Sequence, residues 1–95
     1  MAEILWAPWQ DEHISRRHGV SETDFDTAWH DPNRRDLGEE SHDTHGPYTL
    51  SVGWARLGKA LTMVWRWQGG AVWPITAFFP GLRRRRPRRR ASRRR

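Results

Sequence analysis

Apolar positions in this chain keep a helical spacing up to about residue 32 and switch to a period of two after residue 47. A short apolar run at residues 3–6, closed by Ala7-Pro8, predicts a brief first strand. Between Trp9 and His18, the residues Trp9, His13, Ile14 and Arg17 recur at three- and four-residue spacing and predict a weakly amphipathic helix. Gly19 stands at its C-cap position, and Arg16, Arg17 and His18 in the last turn suit the negative end of the helix dipole. Ser21 is placed to N-cap a second helix, with Asp24 in the acidic position of a capping box. Phe25, Ala28 and Trp29 form the apolar stripe of that helix, and Asp31-Pro32-Asn33 stops it.

Residues 33–47 are polar, charged and rich in histidine, and read as an exposed loop. Beyond Gly46-Pro47, Tyr48, Leu50, Val52 and Trp54 alternate with Thr49, Ser51 and Gly53, the pattern of a half-buried strand. A turn beginning at Gly58 leads to a second strand, with Leu61, Met63, Trp65 and Trp67 on one face and Thr62, Val64 and Arg66 on the other. Gln68-Gly69-Gly70 is a hairpin signal. The third strand runs from Ala71 to about Phe79 with Trp73, Ile75 and Ala77 on one face. Pro74 cannot donate to a ladder, which puts this strand at an edge or gives it a bulge. The predicted order is β-α-α-β-β-β, an α+β domain made of a short strand, two helices and a three-stranded antiparallel meander.

Charge divides the chain in two. Residues 83–95 hold ten arginines and no acid, and removing them from a net charge of +6 leaves −4 for residues 1–82. The basic inference from the high isoelectric point therefore applies to the tail alone. A segment so arginine-rich and so poor in apolar groups is expected to be disordered when free, and to bind RNA, DNA or anionic lipid with steep salt dependence. Residues 1–82 are enough for one small domain. The absence of cysteine excludes disulfides and thiolate zinc sites and fits the cytoplasm. The N-terminus carries no signal-peptide pattern, and Arg66, Gln68, Gly69, Gly70 and Pro74 interrupt the most apolar stretch, residues 61–79. No membrane partner is expected.

Several short pieces, in order, resemble BrnT-type toxins of type II toxin–antitoxin systems: Ile4-Leu5-Trp6, His13-Ile14, Arg17-His18-Gly19-Val20-Ser21, Ala28 and Asp31-Pro32 in the first half. Gly46-Pro47-Tyr48, Gly58-Lys59-Ala60-Leu61 and Val72-Trp73-Pro74-Ile75-Thr76-Ala77 carry the resemblance through the second. It spans roughly residues 4–79. It implies a RelE-like fold in the bacterial cytoplasm, a ribonuclease that stops translation, and a neutralising ribbon-helix-helix antitoxin. Operator DNA would be reached only through that antitoxin. The sequence departs from the family where an arginine follows the Ile-Thr/Ser-Ala strand, since Phe78 stands there. Pro80-Gly81 and the arginine run replace the family's C-terminal helix, so a degenerate toxin that keeps only antitoxin binding is the other form of this expectation.

Cleaving RNA without a metal requires a base for the 2′-hydroxyl, an acid for the leaving oxygen and cations for the developing phosphorane charge. His18 is the candidate acid–base group, with Arg56 and Lys59 as its cationic companions. The structural alternative has His18 capping the first helix and packing beneath the sheet, with Arg56 and Lys59 as solvated turn charges. Arg17, Arg66, Arg83, Arg84, Arg85 and Arg86 are candidate phosphate contacts. Glu39, His42, Asp43 and His45 form a polar cluster whose spacing does not complete a tetrahedral metal site, and it reads as solvated loop. No cofactor is expected. Trp54, Trp65 and Trp67 on one sheet face are either core or a base-stacking platform. A non-catalytic nucleic-acid-binding protein acting through its arginine tail is the alternative function, and a membrane-active Trp/Arg-rich protein a third.

Overall fold

The computed structural model describes residues 3–42 and 46–79. The arginine tail and its predicted disorder lie outside them, as do Asp43 and His45 of the polar cluster. An N-terminal helical segment starts as α1 (Pro8–Gln10) and continues as a π-helical stretch, Asp11–Arg16. Helix α2 spans Glu22–Trp29. Four strands follow, β1 (Arg35–His42), β2 (Gly46–Trp54), β3 (Ala60–Gln68) and β4 (Ala71–Phe78), with a 3-10 turn at Arg56–Gly58 between β2 and β3. They form one antiparallel sheet in the order β1-β2-β3-β4. The architecture is α+β, as the periodicity predicts, but with a fourth strand.

That strand corrects the reading of residues 33–47 as a loop. Residues 35–42 pair with β2 from Arg35↔Val52 to His42↔Gly46, with a bulge between Asp36 and Gly38. Their sequence has no apolar alternation because β1 is an edge, and the residues on it whose exposure is described are all exposed. The predicted first strand shrinks to a single parallel bridge, Ile4↔Val72. It is held by Leu5 N–H donating to the Val72 carbonyl at 2.9 Å and by Val72 N–H donating to Glu3 at 2.8 Å.

The helix boundaries follow their predicted signals. Ser21 Oγ accepts from Asp24 N–H and the Asp24 carboxylate accepts from Ser21 N–H, both at 3.1 Å, completing the capping box. Gly19 takes a φ of +69° and donates its N–H to the Ser15 carbonyl, so it closes the first helical segment in a conformation that favours glycine. Phe25, Ala28 and Trp29 are buried, as the stripe requires.

The core lies between the helices and one face of the sheet: Ile14, Val20, Phe25 and Ala28 from the helical side meet Leu61, Met63, Trp65, Val72 and Ala77. On β3 the predicted apolar face is the buried one as far as Trp65, beyond which Trp67 is 57% exposed. On β2 the burial is the reverse of the hydrophobic pattern. Ser51 and Gly53 are buried, whereas Tyr48, Leu50 and Val52 are half-buried and Trp54 is exposed. The register explains it, because Ser51 pairs with Met63 and Gly53 with Leu61, which places these small residues on the helix side. A Cβ on Gly53 would come 2.1 Å from the Ala28 carbonyl oxygen, so α2 packs directly on the β2 backbone there. On β4 a register shift opposite Val64 and Trp65 leaves Ile75 unpaired. Trp73 consequently lies on the opposite sheet face from Ala77, paired with Arg66, at the β4 edge where the ring of Trp9 in α1 reaches it. The bulge and the edge position both accommodate Pro74, whose carbonyl accepts from buried Gln10 Nε2 at 3.3 Å.

Candidate functional site

The end of the sheet where β2 leaves, β3 begins and β4 finishes collects three of the candidate residues. Arg56 lies in the 3-10 turn after β2, and Lys59 directly precedes β3. His18 follows the first helical segment and packs its ring 6.4 Å from Phe78, the last residue of β4. Lys59 Nζ lies 5.7 Å over the ring of the next residue, Phe79. Arg56 Nε meets Asp24 in the first turn of α2 at 3.5 Å, with the arginine 56% and the acid 13% exposed. Two stretches of chain, one at His18 and one across Arg56–Lys59, thus bring one imidazole and two cations to one end of the sheet.

Each of these groups also has a structural contact. The His18 ring lies edge-on to His13 at 6.1 Å as well as against Phe78. Asp24 serves both the capping box and Arg56. Arg56 is the exposed partner of this pair, and the largely buried Asp24 keeps its capping-box bond to Ser21 N–H if the arginine turns to a phosphate. Phe78 occupies the strand-end position where the family resemblance leads one to look for an arginine, and it supplies a ring surface for His18 instead of a cation.

The phosphate candidates separate. Arg17 adjoins His18 and lines a shallow groove with Trp9, Glu12, His13 and Arg16. Arg66 projects from β3 on the face away from the helices, donates to Gln68 Oε1 at 2.9 Å and lies 6.0 Å over the Trp73 ring. It is therefore remote from the His18 end. Arg83, Arg84, Arg85 and Arg86 lie outside the described residues.

The tryptophans divide as well. Trp65 is 3% exposed and is core. Its Nε1 donates to Ser51 Oγ at 2.9 Å, and that hydroxyl donates to Asp36 Oδ1 at 2.6 Å. Trp29, Trp65 and Trp67 pack edge to face, with centroids 4.5 Å apart for Trp29–Trp65 and 5.0 Å for Trp65–Trp67. Arg34 covers the Trp29 ring at 3.8 Å. Trp54 is not part of this group, because it lies on the opposite sheet face from Trp65.

Sequence reasoning missed a second aromatic group. Trp9 stacks on His13 at 4.9 Å and 13°, and on Trp73 at 6.1 Å and 15°. The signal was the spacing of Trp9, His13 and His18, which are four and then five residues apart. That spacing aligns side chains when the intervening turn bonds i to i+5, as Asp11–Arg16 does.

Among the described residues no group of three or more histidine, aspartate or glutamate side chains could hold a metal ion, and no helix is long and apolar enough to cross a membrane. No family model matches the chain, and neither the curated proteins nor the solved structures contain a match to it.

Proposed function

We propose that this chain is a BrnT-type toxin with a RelE-like fold, a cytoplasmic ribonuclease that blocks translation by cutting RNA at the His18 end of its sheet. The observation that carries the reading is that His18, Arg56 and Lys59 all lie at one end of the sheet, His18 against Phe78, Lys59 over Phe79 and Arg56 on the first turn of α2. The ordered sequence resemblance across residues 4–79 supports it independently. In this reading His18 takes the proton of the 2′-hydroxyl, whose oxygen attacks the adjacent phosphorus. Arg56 leaves Asp24 to stabilise the charge that builds on the phosphorane oxygens. The Lys59 ammonium gives a proton to the departing 5′-oxygen, and the products are a 2′,3′-cyclic phosphate and a 5′-hydroxyl. The chemistry requires no cofactor. A ribbon-helix-helix antitoxin would neutralise the toxin and carry the pair to operator DNA.

A second reading is favoured by one specific observation, that Arg56 and Lys59 are both engaged within the fold, by Asp24 and by Phe79. It is a nucleic-acid-binding protein without catalysis, whose affinity comes from the arginine tail. Expression of the chain and of His18→Ala in bacteria separates the two. The toxin reading predicts growth arrest with shortened mRNA for the parent chain and neither for the variant. Normal growth with intact RNA in both strains would leave only the binding reading.

A further inference from the structure

We propose that the groove between Trp67 and Glu39, on the sheet face beyond the end of α2, is a guanidinium-binding site whose occupant is an arginine of this chain's own residues 83–95. The register places the site. Glu39 pairs with Thr49 and Thr49 with Trp65, and cross-strand partners share a face, so the three stand in a row on the helix side of the sheet. Trp67 lies two residues further along β3 on the same face. Helix α2 ends at Trp29, and the covered part of the face ends with it, since Trp65 is 3% exposed and Trp67 57%. The Trp67 ring meets Trp65 and Trp29 at interplanar angles of 90° and 86°, so neither is stacked flat against it. With more than half its surface in solvent the ring keeps a face open, and that ring lines a groove with Glu39, Thr49, Asp36 and Arg34.

The groove already holds one guanidinium between an indole and a carboxylate. Arg34 lies 3.8 Å over the Trp29 ring, donates to the Trp29 carbonyl at 3.2 Å and pairs with Asp36 at 3.3 Å. Trp67 and Glu39 repeat the indole and the carboxylate, but the Glu39 side chain makes no ion pair or hydrogen bond with a described residue. An open indole face beside an uncommitted carboxylate suits a guanidinium, whose plane stacks on the ring while its N–H fork donates to the acid. Charge and chain length point to the occupant. Residues 83–95 carry ten arginines, against a net −4 on residues 1–82. Trp67 pairs with Val72, seven residues back from Phe79, which is about 23 Å along a strand. Arg88 follows Phe79 by nine residues, about 30 Å of chain when extended, so the sequence has the length to return. One exposed contact of this kind adds little stability, so proximity reads it and melting does not. The site stands independently of RNA cleavage, but a nucleic acid drawn to the same arginines competes with it.

The test uses the full chain, isotope-labelled for nuclear magnetic resonance and carrying a nitroxide at Ser92→Cys, the single thiol in a sequence that otherwise has none. The Trp67 indole N–H, assigned by its loss in Trp67→Phe, and the Glu39 and Thr49 amides should lose more signal to the nitroxide than Glu22 and Asp26, exposed acids on α2. Glu39→Gln removes the charge at an exposed position without touching the core, and should restore most of that signal. Equal broadening at Glu22 and Asp26, or undiminished broadening in Glu39→Gln, overturns the proposal. Isotope-labelled copies without nitroxide, mixed with nitroxide-bearing copies without isotope, separate the two sources of arginine. Broadening of Trp67 in that mixture as strong as in the doubly labelled chain makes a second copy the donor and overturns the assignment to this chain. An unstructured oligoribonucleotide should reverse the broadening, and persistence at saturation overturns the competition.

Discussion

Two small residues on β2 carry more of this fold than any of its seven tryptophans announces. Gly53 lets the α2 backbone reach the sheet, and the space it leaves is filled by the Ala28 carbonyl. Gly53→Ala should therefore cost about 3 kcal/mol or more, seen as a lower denaturation midpoint with an unchanged slope. Ser51 is fully buried and joins Trp65 Nε1 to Asp36. Ser51→Ala leaves the indole N–H without a partner in the core and should cost about 1–3 kcal/mol. Adding Trp65→Phe, which removes the orphaned donor, should cost less than the two single changes combined. Strict additivity in that double-mutant cycle would show that the hydrogen bond is not the source of the loss. Neither role was legible in the alternation of β2, because the pattern ranks residues by hydrophobicity while the register ranks them by size. Hydrophobicity alone would turn Tyr48, Leu50, Val52 and Trp54 inward, whereas the register turns Ser51 and Gly53 inward.

At the scale of elements, the most legible features were those fixed by local chemistry. The capping box at Ser21, the glycine stop at Gly19 and the paired glycines of the β3–β4 hairpin stand where their residue types demand. Gly69 and Gly70 take φ of +58° and +82°, the two positive values a tight hairpin turn uses. Ser21→Ala should lower stability by about 1 kcal/mol, read as a reduced midpoint in thermal unfolding. The element that escaped was β1, a strand whose exposed edge position leaves it free to be charged. Its acids also blunt an edge that would otherwise invite pairing with another chain. The π-helical stretch Asp11–Arg16 was also illegible as such, since the amphipathic spacing of Trp9, His13, Ile14 and Arg17 is shared by an ordinary helix. Its consequence, an aromatic row that gathers His18, becomes visible only once the turn is in place.

For the whole molecule, the distribution of charge sets behaviour that the fold does not. A body of −4 joined to ten arginines is an acidic domain with a cationic arm. Removing residues 83–95 should sharply reduce affinity for any RNA and flatten its salt dependence by about 0.7 per lost phosphate contact, measured by titration at several ionic strengths. It should leave the melting temperature of the body unchanged, because the described core is complete without the tail. The candidate site was legible in the sequence as a set of residue types and as a family resemblance. Its spatial grouping was not, because it depends on the β2–β3 turn and the end of β4 meeting the first helical segment. The measurement that bears most directly on the account is incubation of purified chain with unstructured RNA in the presence of a chelator, followed by analysis of the product ends. Fragments ending in 2′,3′-cyclic phosphate are expected from the parent chain, and a loss of rate of a hundred-fold or more in His18→Ala, about what one general base contributes. Intact RNA with the parent chain, or equal cleavage by both proteins, would contradict it.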